Sequence, residues 1–327
     1  ATKALNITAG NGADQITGGA GNDTITLGSG NDTYNELDGN DNVTGGAGND
    51  TFDVGNGQLT YLDTIDGGAG TDLLELNNTT AITDVAFQNV TNVENITLDS
   101  STGALTLGAY ASAAGIVKVT GIAAAVNTVN AAALPTSLEI IAATSTGVDD
   151  ILTGGTGADT FVFSGTTGLE DGDAITGTSG ADVIQLNNTA GAVTAEADFD
   201  DIATVTNITV KDNDGGNAAT AQAIGLTISA IAETTAQTIT IDASAITDSN
   251  DVLTVTNSAS STTTLFNITG GAGADVLAGS NAVDTIVGGS GVDLITGNVG
   301  ADILTGGGGA DNFAYTATTN IYSGIAG

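Results

Sequence analysis

A strict nine-residue period runs through much of this chain, and it restricts the fold to shapes in which the backbone returns to the same place every one or two units. From Ala9 the sequence reads AGNGADQIT, GGAGNDTIT, LGSGNDTYN, ELDGNDNVT and GGAGNDTFD, five nonapeptides without a gap. Position six is Asp each time (Asp14, Asp23, Asp32, Asp41, Asp50), and position eight is apolar or aromatic (Ile16, Ile25, Tyr34, Val43, Phe52). After residues 54–57 the register resumes with QLTYLDTID and GGAGTDLLE, which puts Asp63 and Asp72 in phase. A second, more degenerate array contains STGVDDILT, GGTGADTFV, GLEDGDAIT and GTSGADVIQ, with Asp150, Asp159, Asp173 and Asp182 at position six. The third array is again uninterrupted: GGAGADVLA, GSNAVDTIV, GGSGVDLIT, GNVGADILT and GGGGADNFA carry Asp275, Asp284, Asp293, Asp302 and Asp311.

Each unit offers a three-residue β-favouring stretch around one inward apolar side chain, followed by six residues of turn. Two such units complete one coil of a parallel β-roll, and successive coils then stack at about the 4.8 Å spacing of neighbouring strands. Alternate units fall on the same edge. Asp14, Asp32 and Asp50 are therefore expected on one side with Asp23 and Asp41 on the other, and Asp275, Asp293 and Asp311 opposite Asp284 and Asp302. Glycines in the turns allow restricted backbone conformations and close approach of carbonyl oxygens. Unneutralised carboxylates stacked in this way repel one another, by about 1 kcal/mol per close pair even in water. A hard divalent cation reverses that sign, and oxygen donors at six to eight positions suit Ca²⁺ better than Mg²⁺. Asp is also an ordinary turn former, but turn propensity alone does not hold ten aspartates in phase across two runs of five.

These units resemble the GGxGxDxUx nonapeptides of the RTX family. The resemblance covers about half the chain. It implies multiple bound Ca²⁺ ions, held by the sixteen aspartates named above together with carbonyls of the preceding Gly-x-Gly-x turns. It also implies an extracellular or cell-surface protein secreted by a type I system. Affinity is expected in the range of about 10⁻⁴ to 10⁻³ M found in extracellular modules, with folding coupled to binding. Weaker sites are expected where turn glycines are lost: Leu37 in the fourth unit, Tyr61 before Asp63, Val148 before Asp150, the shifted glycine of GLEDGD before Asp173, and Ala282 before Asp284.

Composition agrees. The formal charge is −35, from 38 acidic residues against Lys3, Lys118 and Lys211, which argues against nucleic acid and anionic membrane as partners. An acidic chain of low hydrophobicity would be disordered, but 40% of these residues are hydrophobic. No apolar run approaches the ~20 residues needed for a transmembrane helix. The chain contains no His and no Cys, which removes thiol, Ser-His-Asp and zinc chemistry. Glu36, Glu75, Glu94, Glu139, Glu170, Glu196 and Glu233 are scattered, with no paired general acid and base. The chain is expected not to be an enzyme.

Between the arrays, residues 67–100 align with 177–212 through the shared Asp, an apolar pair, Leu-Asn-Asn-Thr and an Asn-Ile-Thr ending, as expected of a duplicated module. Alternating stretches such as GIVKVTG, QTITIDAS and DVLTVTN read as more β-solenoid or as sandwich. The Ala-rich segments 109–114 and 123–133 remain open between short helix and small-residue packing. The resulting architecture is all-β: parallel β-roll (β-solenoid) arrays at 1–76, 145–186 and 270–327, alternating with β-rich, solenoid-like segments at 77–144 and 187–269. Such an alternation is similar to RTX-bearing S-layer and giant surface proteins of Gram-negative bacteria. That resemblance implies calcium-driven self-assembly as a homo-oligomer or polymer, with any polysaccharide anchor lying outside this chain. A calcium-rigidified stalk of an RTX adhesin is the alternative, and the tail of a secreted RTX enzyme a third.

Overall fold

The structure is a computed structural model describing residues 3–36, 38–98, 103–121, 126–142, 149–164, 169, 172–188, 193–195, 202–212, 223–228, 237–257, 262–314 and 324–326. It is a parallel β-solenoid. Every strand pairing given for the described residues is parallel, and consecutive strands alternate between sheets. Two compact units are distinguished: residues 1–143 with 150–160 and 177–180, and residues 144–149 with 161–176 and 181–327.

In the first unit, Asn6–Thr8, Thr24–Ser29, Asn42–Ala47, Thr64–Ala69 and Val90–Thr91 form one sheet. Gln15–Thr17, Thr33–Asn35, Thr51–Gly55, Leu73–Asn77, Asn95–Leu98, Lys118–Thr120 and Glu139–Ile141 follow one another in the other. The nonapeptide pattern dictates this directly. Thr24 pairs with Asn42 and Thr33 with Thr51, eighteen residues apart, so two units make one coil. Ile25, Tyr34, Val43 and Phe52 are buried between the sheets, while the threonines and asparagines beside them face outward. Ile16, in an end coil, is only half-buried.

The four extra residues 54–57 lengthen the next coil without disturbing register, because Asn42 pairs with Thr64 and Thr51 with Leu73. Outside the array the coils stay wide: Leu73 pairs with Asn95, Asn95 with Lys118 and Lys118 with Glu139. Their greater width is filled by a 3₁₀ helix, Asp84–Phe87, and by an α-helix, Ala109–Ala114. Phe87, Val93, Leu107, Ala111 and Leu134 are buried there. The first Ala-rich segment is thus a helix. It ends at Gly115, whose φ of 105° gives the left-handed cap. Of the second Ala-rich segment, residues 123–125 lie outside the described residues. The inter-array segments are solenoid, not sandwich.

In the second unit, Val183–Asn188, Asn207–Asp212, Thr238–Asp242, Leu265–Thr269, Thr285–Ser290, Ile303–Gly308 and Gly324–Ala326 form one sheet. The other contains Val193–Ala195, Ala223–Ile228, Val252–Asn257, Val276–Ala278, Leu294–Thr296 and Asn312–Ala314. The duplicated module takes equivalent register in its two copies: Leu73 pairs with Asn95, and at the matching positions Val183 pairs with Asn207. Among the described residues no helix is long and apolar enough to cross a membrane.

Candidate metal centre

Sequence position six points inward at both edges of the roll, and the aspartates there form ladders. On one edge the Asp14 amide donates to Asp32 Oδ1 at 2.7 Å, Asp32 to Asp50 Oδ1 at 2.8 Å, and Asp50 to Asp72 Oδ1 at 2.7 Å. On the other edge the amides of Leu5, Asp23 and Asp41 donate to Asp23, Asp41 and Asp63 Oδ1 at 2.7, 2.7 and 2.9 Å. The opposite placement expected from the period is what the roll shows.

The third array repeats it. The amides of Leu253, Asp275 and Asp293 donate to Asp275, Asp293 and Asp311, and those of Phe266 and Asp284 to Asp284 and Asp302. In the second array, Asp150 Oδ1 accepts from the Asn127 amide and Asp159 Oδ1 from Leu138. Asp173 and Asp182 are buried. Most of the turn before Asp173, Val148 before Asp150, and Leu37 lie outside the described residues. Asp14 and Asp311, at the ends of their ladders, are only half-buried.

One carboxylate oxygen per aspartate is therefore committed to the backbone of the neighbouring coil. The second oxygen decides what else the site can hold. In Asp23, Asp63, Asp159, Asp275 and Asp284, Oδ2 accepts an amide from its own turn: Gly19, Thr60, Gly155, Gly271 and Ser280 respectively, at 2.6 to 2.8 Å. In Asp32, Asp50, Asp72 and Asp293 it is buried with no hydrogen-bond partner, although these residues are at most 1% exposed. An ionised oxygen so placed carries a penalty of several kcal/mol unless paired. Burial accordingly raises the pKa values of Asp50, Asp72 and Asp293, and pushes Asp275 and Asp284 up to about 6.

The glycines at position one let these oxygens approach the main chain closely. A Cβ on Gly45 would meet Asp50 Oδ2 and the Gly67 carbonyl oxygen, and one on Gly67 would meet Asp72 Oδ2 and the Asn92 carbonyl oxygen. A Cβ on Gly288 would likewise meet Asp293 Oδ2 and the Gly306 carbonyl. Carboxylate and main-chain oxygens thus converge on small spaces without side chains, a donor set that suits a hard cation such as Ca²⁺. No group of three carboxylates able to hold a metal is found among the described residues. The convergence is of mixed oxygen donors, one aspartate per coil.

Further acids are buried or laddered outside the nonapeptide pattern. Glu94 continues a ladder past the array, its Oε2 accepting the Asp72 amide at 2.8 Å. Its signal was only its spacing of 22 residues from Asp72 in a widened coil. Glu36 occupies position one of its unit, where both carboxylate oxygens are buried without partners. Burial first, then the charges of Asp63 and Asp41, push its pKa up to about 9. Asp248 and Asp251 are buried between the strands Thr238–Asp242 and Val252–Asn257.

The family profile of the RTX calcium-binding nonapeptide repeat, in four copies, matches residues 6–34, 37–58, 60–78, 145–163, 267–286 and 279–313. The chain carries RTX repeats. Its nonapeptides are calcium-binding repeats, so the chain takes multiple Ca²⁺ ions. RTX repeats are typical of secreted proteins. No curated protein and no solved structure matches the chain. The profile covers the RTX units around Asp14 to Asp72, Asp150, Asp159 and Asp275 to Asp311, and passes over those around Asp173 and Asp182.

Proposed function

We propose that this RTX protein is an extracellular, non-catalytic structural protein that folds on calcium and assembles with copies of itself into a surface layer, sheath or matrix filament. The observation that carries the reading is the set of buried, unpartnered carboxylate oxygens on Asp32, Asp50, Asp72 and Asp293 in a chain of net charge −35. Such carboxylates oppose folding when bare and favour it when a cation bridges them to neighbouring carbonyls, so calcium availability sets the folded fraction. The proposed ligands are drawn from the sixteen position-six aspartates.

Support for self-association comes from the outer surface of the third array. There the asparagine and threonine of the first array give way to Val283, Val292, Leu294 and Ile303, which are 39–53% exposed. Once calcium lowers the charge, apolar surface of this kind favours association. Type I export and a polysaccharide anchor outside this chain belong to the same reading.

The test is to add calcium to the chelated full chain and follow β-structure by circular dichroism together with particle size and electron microscopy. Ordered assemblies that appear with β-structure support the proposal. A folded, calcium-loaded monomer favours the adhesin-stalk reading instead. Indifference of both signals to calcium overturns both.

A further inference from the structure

The hexapeptide Gly-Gly-Ala-Gly-Asn-Asp occurs twice in the first array, at 18–23 and at 45–50, and the two copies take different backbones. In the second, Gly46 and Gly48 have φ of 117° and 131°; in the first, neither Gly19 nor Gly21 has positive φ. Since the residues are identical, the coil stacked against each copy must select the conformation.

Along the edge of Asp50, every coil of the array has glycine at positions two and four. A Cβ on Gly46 would strike the Gly28 carbonyl oxygen, and one on Gly68 the Gly46 carbonyl. Left-handed turns there propagate from coil to coil only because no side chain interrupts them. The other edge has Leu37 at position two of its next unit, and Leu59 and Tyr61 at positions two and four of the one after.

The spaces beside the carboxylates differ in the same sense. On the Asp50 edge, Gly45 and Gly67 open onto carboxylate and carbonyl oxygens, and Asp32, Asp50 and Asp72 each keep a buried oxygen without a partner. Leu27 stands at position one beside Asp32, so the two full cradles are those at Asp50 and Asp72. On the opposite edge the space at Gly18 is taken by the Tyr34 hydroxyl, 2.6 Å from where a Cβ would stand. That hydroxyl donates to Asp41 Oδ2 at 3.0 Å. Asp23 Oδ2 accepts from Gly19, and Asp63 Oδ2 from both the amide and the hydroxyl of Thr60. In the next unit the position-one space is filled by the Glu36 side chain itself, whose two carboxylate oxygens are buried without partners and whose carboxyl burial favours in the neutral form.

We infer that the first array holds its calcium in a single row, along the edge of Asp32, Asp50 and Asp72, and that the edge of Asp23, Asp41 and Asp63 is closed by the protein's own donors and takes none. The inference rests on the calcium reading above and sharpens it: two aspartate ladders of similar sequence, one metal row. Glu94 ends the row, its carboxylate standing where the next coil would carry Asp.

The test measures calcium per full-length chain by equilibrium dialysis for the parent and for D50N, D72N, D41N and D63N, with circular dichroism in saturating calcium confirming that each is folded. D50N and D72N should each bind fewer ions, while D41N and D63N should bind as many as the parent. Equal losses from both pairs overturn the inference but leave calcium binding intact, whereas a parent that binds no calcium overturns the broader reading. Terbium luminescence gives a check that needs no aspartate variant. Tyr34 lies on the closed edge, so Y34F should leave tyrosine-sensitised emission unchanged, and a loss of most of that emission would place a metal there and contradict the single row.

Discussion

The coils of the first array and those that follow it close the same solenoid in different ways. An uninterrupted array coil needs eighteen residues, and its edges are closed by aspartates that accept the preceding coil's amides. The coils between Leu73 and Glu139 need 21 to 23 residues per turn, read from the pairings of Leu73, Asn95, Lys118 and Glu139. They close with short helices and with Phe87, Leu107 and Leu134. Even the acids are used differently. Asp84 in the wide coils accepts amides from Gly108, Tyr110 and Ala111, satisfying orphan donors at a helix start, whereas Asp50 keeps one oxygen without a partner. A narrow coil thus places charge where a wide coil places hydrocarbon, and on the function proposed above that charge makes it dependent on a cation.

The comparison can be sharpened by substitution. Phe52→Ala in the array and Phe87→Ala in the wide coils each empty a fully buried site and should cost about 3–5 kcal/mol. Thermal unfolding in calcium and in chelator should show the Phe52 effect only with calcium and the Phe87 effect in both. Gly46→Ala combines a left-handed φ with a backbone clash against Gly28, and should lower stability in calcium by at least about 1–3 kcal/mol. Asp84→Ala should cost about 1–2 kcal/mol, as cap removals do, and by the same amount in either condition. If its effect vanishes in chelator, the wide coils depend on calcium after all.

A smaller effect concerns pH. Glu36 titrates near 9 in the fold against 4.5 for an unperturbed Glu, so the folded chain holds a proton that the unfolded chain releases. Its contribution to stability is full below about pH 4.5 and is lost as pH rises through 9, with a slope of at most about 1.4 kcal/mol per pH unit. Asp275 and Asp284, near 6, act over a lower window. In saturating calcium, where the array is folded, the melting temperature of the parent relative to E36Q should therefore fall as pH rises from about 4.5 to 9.

Much of this was legible in the sequence because the period fixes it. Asp at position six and an apolar residue at position eight place one side chain at an edge and one in the core, and the opposite ladders follow from counting. The state of each second oxygen was not legible. It depends on whether the adjoining coil permits a left-handed turn, which is why the identical segments at 18–23 and 45–50 differ. Glu94 was missed because its coil is longer than two nonapeptides, and Glu36 because position one is elsewhere mostly glycine. The helix at Ala109–Ala114 rests on a tertiary contact, its start satisfied by Asp84 from a distant turn, so Ala content alone left it undecided.

The central claim is that cations hold the narrow coils and hydrocarbon holds the wide ones. Amide hydrogen exchange on the full chain, with calcium and with excess chelator at pH 7.5, tests it most directly. The amides of Asp32 and Asp50, which donate along the ladder, should lose most of their protection on chelation, while those in Asn95–Leu98, Lys118–Thr120 and Glu139–Ile141 should stay protected. Equal protection of the array amides with and without calcium would contradict it.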